Sequence, residues 1–166
     1  MVERYLEDLE VGQRFGSGRI RVDAHRIKSF AASFDPQPFH LDERAAAGTR
    51  FHGLIASGWH TAAMTMGLLV KGELKLAGGI VGAGVDDLRW PRPVRPDDEL
   101  RVESEVLELR ASRSRPDQGV VRLRITTLNQ DSEPVQVFVA NLIVHRRPDH
   151  EVPEVEITPG NGGRAP

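Results

Sequence analysis

"SGWHTAAMTMGLLVKG", residues 57–72, is the stretch that decides the fold. Its apolar residues Trp59, Ala62, Ala63, Met64, Met66, Leu68, Leu69 and Val70 run nearly all the way round a helical period, which predicts a helix buried on most of its sides. Ser57 or Gly58 is its expected start. Lys71 suits the negative end of the helix dipole, and Gly72 suits the position just past the last turn. The run is too short to span a bilayer, so it is read as a core element.

On the C-terminal side the period changes from helical to two. "IVGAGVDDLRW" (80–90) reads as a strand with glycines where another backbone approaches, and "PRPVRPDD" (91–98) as a turn. "ELRVESEVLEL" alternates until Val106–Leu107, where the phase shifts, which predicts a bulge. "VVRLRITTL" places Val121, Leu123 and Ile125 on one face. "PVQVFVANLIVH" is apolar on both faces and is expected either in the centre of the sheet or under a partner subunit. "SRSRPDQG" (112–119) reads as a hairpin turn, and "GGIVGAG" (78–84) lacks the third glycine of a dinucleotide fingerprint.

On the N-terminal side, "RFGSGRIRV" (14–22) reads as one short strand. Asp23 then caps a helix with Ile27, Phe30, Ala31 and Phe34 on one face, which must stop before Pro36. A short helical turn over 42–47 follows, capped by Asp42. The order is strand, helix, loop, buried helix and four strands, with no βαβ alternation. That order predicts an α+β fold, an antiparallel sheet wrapped around one long helix. Residues 1–147 are expected to form one domain and 148–166 a tail.

Composition narrows the function. The chain of 166 residues has no cysteine, which removes disulfides, thiolate catalysis and Cys-based zinc sites. His25, His52, His145 and His150 show no metal-ligand spacing, so no metal and no cofactor is assigned. A net charge of −2 leaves no general basic footprint for nucleic acid. The first residues lack the basic head and apolar core of a signal peptide, so a cytoplasmic protein without membrane attachment is expected.

The chemistry gathers in "FDPQPFHLDE", residues 34–43. Two prolines break the backbone between Asp35 and His40, which puts Asp35 at a helix end and His40 on the loop that follows. The plainer reading makes Asp35 a helix cap and His40 a surface residue. Against it stand the paired prolines and the helix start at "ASGWH", whose first N–H groups and dipole suit a developing oxyanion.

The longer run "FAASFDPQPFHLDERAAAGTRFHGLIASGWHTAAM" (30–64) resembles the hydratase motif of MaoC-like acyl dehydratases, a family that includes (R)-specific enoyl-CoA hydratases. Asp35, Pro38 and His40 match that motif position for position, Gln37 stands at its usual Asn, and Phe51, Ile55 and Gly58 match the second block. The resemblance implies a hot-dog fold, an acyl-CoA thioester substrate, catalysis by Asp35 and His40, and a homodimer with its acyl site at the interface. The resemblance and the helix start together assign the Gly58 N–H to the thioester oxygen, and Ser57, Gln37, Trp59 and His60 join it on the substrate side. Trp59 is read first as a core residue, and His60 as lining the acyl site. A hot-dog thioesterase and a non-catalytic acyl-CoA-binding module are the alternatives.

Overall fold

The computed structural model describes residues 3–148. From residue 149 on, the expected tail lies outside the described residues. After a 3-10 turn (Leu6–Asp8), the elements are β1 (Arg14–Gly16), β2 (Ile20–Arg21), α1 (Ala24–Phe34), α2 (Pro38–Leu41), α3 (Glu43–Ala47), α4 (Gly58–Lys71), β3 (Val81–Arg89), β4 (Glu99–Ala111), β5 (Gln118–Leu128) and β6 (Pro134–His145). The strands form an antiparallel sheet in the order β1-β4-β5-β6-β3, with β2 also paired to β4. The stretch expected as one strand over 14–22 is two short ones, β1 and β2, each paired to a different part of β4.

The sheet's inner face is the one that alternation marked out. Val121, Leu123 and Ile125 of β5 are buried, as are Leu100, Val102 and Val106 of β4, and Leu68 and Leu69 of α4 pack into the same core. The phase shift read at Val106–Leu107 is a register shift between Val106 and Glu108 opposite β5. Asp23 and Asp42 cap α1 and α3 by accepting from the N–H groups of Arg26 and Ala45. At the far end of α4, a Cβ on Gly72 would sit 2.8 Å from the Gly16 carbonyl oxygen. Glycine there lets the helix end lie against β1.

Three expectations change or sharpen. First, α4 is not buried on most sides. Thr61, Thr65, Leu68 and Leu69 face inward, while Trp59, Ala63, Met66 and Val70 are exposed. Second, β6, expected in the centre of the sheet or under a partner, is an interior strand one in from the edge, paired to both β5 and β3. The edge strand β3 exposes Val81 and Val85. Third, Phe34 lies outside the core, 74% exposed, while Ile27 and Ala31 are the buried residues of α1. Among the described residues no helix is long and apolar enough to cross a membrane.

His60, in the first turn of α4, ties that helix to α1. Its ring stacks on Phe30 at 4.7 Å between centroids and 9° between planes, and it is buried. Its Nδ1 has no hydrogen-bond partner among the described residues. Burial, and then the nearby Arg26 charge, hold its proton affinity below the ordinary imidazole value. The folded protein therefore keeps His60 neutral where the unfolded chain, with an imidazole pKa of about 6.5, takes up a proton. This contribution to stability is complete above that value and is lost as pH falls from it towards the lower folded value. Denaturant midpoints of the wild type should decline over that window. His60→Phe, which keeps the ring stack, should decline less. Parallel curves for the two proteins would show that His60 does not carry the effect.

Candidate active site

The site begins where α1 stops. Pro36 cannot continue the helix, so Asp35 closes it with its own N–H donating to the Ala31 carbonyl at 2.9 Å. The backbone then turns, and Pro38 opens α2, a single helical turn, where the missing proline N–H would have been unused. The loop expected around His40 is thus one turn of helix. That turn swings His40 inward, so the histidine expected on a loop is 4% exposed.

Three hydrogen bonds fix the pair. His40 Nδ1 lies 2.8 Å from the Ile55 carbonyl oxygen. A carbonyl only accepts, so Nδ1 holds the proton, and in the neutral ring Nε2 carries the lone pair. Asp35 Oδ2 accepts from Ser57 Oγ at 2.7 Å, and Asp35 Oδ1 accepts from Gln37 Nε2 at 3.1 Å. His40 Nε2 faces Asp35 Oδ2 at 3.4 Å. The Ser57 hydrogen bond first, then the Gln37 bond and the His40 charge, hold the Asp35 carboxyl below the usual carboxylate range, against the opposing effect of burial. With His40 neutral, Nε2 and Oδ2 are both acceptors, and a water on their cleft side can bridge them by donating a hydrogen to each.

The pair opens into a cleft of about 380 Å³ lined by Asp35, Gln37 and His40, by Gly58 and Trp59 of α4, and by Trp90. Phe39 and Phe51, 5.3 Å apart, add an aromatic wall. A larger hollow of about 530 Å³ lies beside Tyr5, Gly78 and His145. Nine residue steps along β6, about 30 Å of strand, separate its His145 from Gln136, which bonds Trp90. It shares no residue with the cleft.

The structure sorts the expected substrate-side residues. Gly58 is the first residue of α4, and its N–H meets no acceptor among the described residues. Ser57 is buried at 1% exposure, caps α4 by accepting from the Trp59 N–H, and touches Asp35 rather than lining the cleft. Trp59, read as core, is 60% exposed and lines the cleft instead. His60, read as lining the acyl site, is turned to Phe30 and does not line it. The two exchange places because they are adjacent on the helix, about 100° apart, and the smaller polar ring fits against α1.

Trp90 was not picked out by the sequence reading. Its ring fills the space in front of Gly58, where a Cβ would meet indole carbons at 2.7–2.9 Å. Glycine at 58 is therefore needed by the protein itself, whatever approaches from the cleft. The only sequence sign of Trp90 was its place ahead of Pro91 and Pro93, which fix the backbone on its far side. Among the described residues no cluster of His, Asp or Glu is arranged to hold a metal ion.

Residues 9–129 match the family model for a MaoC-like domain. The structure is similar to the crystal structure of a MaoC-like dehydratase from Rhodospirillum rubrum, with 58% identity and a TM-score of 0.84 over 87% of this chain and 99% of that one. It is also similar to the unliganded R-hydratase PhaJ1 from Pseudomonas aeruginosa, with 28% identity and a TM-score of 0.67 over 93% of this chain and 96% of that one. In sequence it is 34% identical over 139 residues to the uncharacterized protein YdeM of Bacillus subtilis, covering 84% of this chain and 96% of YdeM. The antiparallel sheet packed on α4 is the hot-dog fold of these neighbours, and the chain belongs to the MaoC-like dehydratase family.

Proposed function

We propose that this protein adds water reversibly to a trans-2-enoyl-CoA, giving the 3-hydroxyacyl thioester, with (R) configuration by its likeness to the R-hydratase. The observation that carries the proposal is the Asp35–His40 pair, two acceptors 3.4 Å apart at the wall of a cleft that also holds a free N–H at a helix start. In the reaction, water shared by the pair gives one proton to His40 Nε2 while its oxygen bonds to Cβ. The carboxylate of Asp35, held ionised by Ser57, stabilises the imidazolium and orients the water. Electron density moves from the double bond to the thioester oxygen, which the Gly58 N–H receives. The imidazolium then returns the proton to Cα, and the resting pair of carboxylate and neutral imidazole is restored. Dehydration is the reverse path. Arg50 and Arg92 also line the cleft, a basic contribution that suits the phosphates of coenzyme A. A chain without cysteine needs no oxidising compartment, and we place the reaction in the cytoplasm.

The test pairs loss of the conjugated enoyl-thioester absorbance with a thiol reagent. Absorbance should fall with no release of free thiol, and Asp35→Asn and His40→Ala should each slow it by roughly 10²–10⁴-fold. His40 is buried, so its variant is compared by melting; Asp35→Asn, nearly the same shape at a half-buried position, decides the point if His40→Ala unfolds. Thiol release in step with absorbance loss would make the protein a thioesterase. Turnover untouched in both variants would remove the pair from the mechanism.

Ser57→Ala gives an independent check. It removes the largest influence holding the Asp35 carboxyl down, so that carboxyl should lose its proton only at higher pH. Carbon-13 NMR of the Asp35 carboxyl should show its titration midpoint moved to higher pH relative to wild type. An unmoved midpoint would mean that Ser57 does not hold Asp35 ionised.

We also propose a homodimer. The apolar residues that α4 leaves in solvent, Trp59, Ala63, Met66 and Val70, form a stripe beside the open edge of β3. The residues flanking β3 reach both ends of this stripe. Trp59 packs on Trp90 at 5.5 Å, and Val70 and Ile80 share one surface hollow. An open edge strand with an apolar stripe beside it is a surface that a second copy covers by the same pairing. Sedimentation should give twice the chain mass, and Val85→Asp should lower it. A wild-type monomer at micromolar concentration would contradict the assembly.

A further inference from the structure

Trp90 is an aromatic side chain in the proposed active-site cleft whose orientation is fixed from inside the core. Its Nε1 donates to Gln136 Oε1 at 2.8 Å. Gln136 has no exposed surface and donates from Nε2 to Thr65 Oγ1 at 3.0 Å. Thr65 in turn donates to the Thr61 carbonyl at 2.8 Å and lies 2.7 Å from Thr127 Oγ1. With its single hydrogen committed to Thr61, Thr65 accepts from both Gln136 and Thr127. The chain of bonds is closed at every oxygen and ends on the indole.

The backbone around Trp90 is held as well. Pro91 and Pro93 restrict it, Arg92 bonds the Pro134 carbonyl and pairs with Glu133, and the Val94 carbonyl accepts from the Ala56 N–H at 2.8 Å. The indole is therefore a rigid wall, packed so closely on Gly58 that no Cβ fits between them.

We infer that Trp90 is a specificity-determining residue that selects thioesters unbranched at Cα. The inference rests on the proposed reading of Gly58. An oxygen bound to the Gly58 N–H sits about 3 Å from it, and the carbonyl carbon and Cα lie one and two bonds further on. A ring in van der Waals contact with Gly58 therefore borders the thioester carbon and Cα. The acyl tail, continuing beyond Cβ, leaves past Asp35 and His40 and is not limited by this ring. A methyl group on Cα meets the indole, and the indole cannot turn aside without breaking its bond to Gln136.

Two readouts test this on the full-length protein. The first is kcat/KM for crotonyl-CoA against 2-methylcrotonyl-CoA. The second is calorimetric affinity for butyryl-CoA against 2-methylbutyryl-CoA, which does not depend on turnover. Wild type should favour the unbranched member of each pair. Trp90→Ala should shift both ratios towards the branched member by about 10-fold or more, the scale on which a pocket discriminates one methyl group. Trp90→Phe should stay nearer wild type, and Gln136→Leu, which frees the indole, should fall between. Gln136 is buried, so if that variant does not fold, Trp90→Ala decides. If wild type hydrates crotonyl-CoA but Trp90→Ala leaves both ratios unchanged, the inference fails and the hydratase reading stands. If wild type hydrates nothing yet the calorimetric ratio shifts as stated, the hydratase reading fails and the wall stands. Absence of binding to any of these thioesters overturns both.

Discussion

Three consecutive residues, Ile55, Ala56 and Ser57, hold the site together. Each is hydrogen-bonded to another part of the chain. The Ile55 carbonyl accepts His40 Nδ1, the Ala56 N–H donates to Val94, and Ser57 Oγ donates to Asp35. All three residues are buried, so none of these bonds competes freely with water. An unmade buried bond costs about 1–3 kcal/mol, which is enough to fix each partner in place. The acid and the imidazole come from one short stretch and the loop carrying Trp90 from another, and this short run entering α4 sets their mutual geometry. It also ends where the Gly58 N–H becomes free. One extended segment thus determines the tautomer of His40, the ionisation of Asp35 and the position of the proposed oxyanion donor.

The second organising feature is that the first half of α4 puts hydroxyls on its inner face, ahead of the buried Leu68 and Leu69. Its hydroxyl residues Thr61 and Thr65 face the sheet, while Trp59, Met66 and Val70 face solvent. Buried hydroxyls are tolerable here because each is satisfied. Thr61 donates to the Ser57 carbonyl, and Thr65 joins Thr61, Thr127 and Gln136. That polar seam runs from the middle of α4 through the sheet to the indole at the cleft. The same turn of the helix leaves apolar surface outside, next to an open strand edge. Packing within the chain and the surface offered to the proposed second copy thus follow from one choice of helix face, and Trp59 belongs to both the cleft and the exposed stripe.

What the sequence made legible followed from periodicity and local chemistry. The two-residue alternation of β5, the phase slip at Val106 and the caps at Asp23 and Asp42 are all local signals, and each is where it was read. The orientation of α4 was not legible. A helix apolar nearly all the way round carries no phase, and the threonines that mark its inner face look polar until their partners on β5 and β6 are known. Trp59 and His60 were exchanged for that reason. The short helix at Pro38 was hidden because proline forbids a helix interior but favours a helix start. Gln37 and Ser57 stand where the family motif usually has other residues, and their bonds to the two oxygens of Asp35 depend on α1, α2 and α4 meeting. Trp90 was missed because its significance lies in contacts with Gly58 and Gln136, 32 and 46 residues away in the chain.

The central claim is that the Asp35–His40 pair delivers the two parts of one water molecule to adjacent carbons of an intact thioester. Hydration of crotonyl-CoA in deuterated water, followed by NMR of the product, examines it most directly. The account predicts a 3-hydroxybutyryl thioester with the hydroxyl on Cβ, one deuteron on Cα and coenzyme A still attached. Free coenzyme A with unreacted crotonate, or a product with no deuteron at Cα, would contradict it.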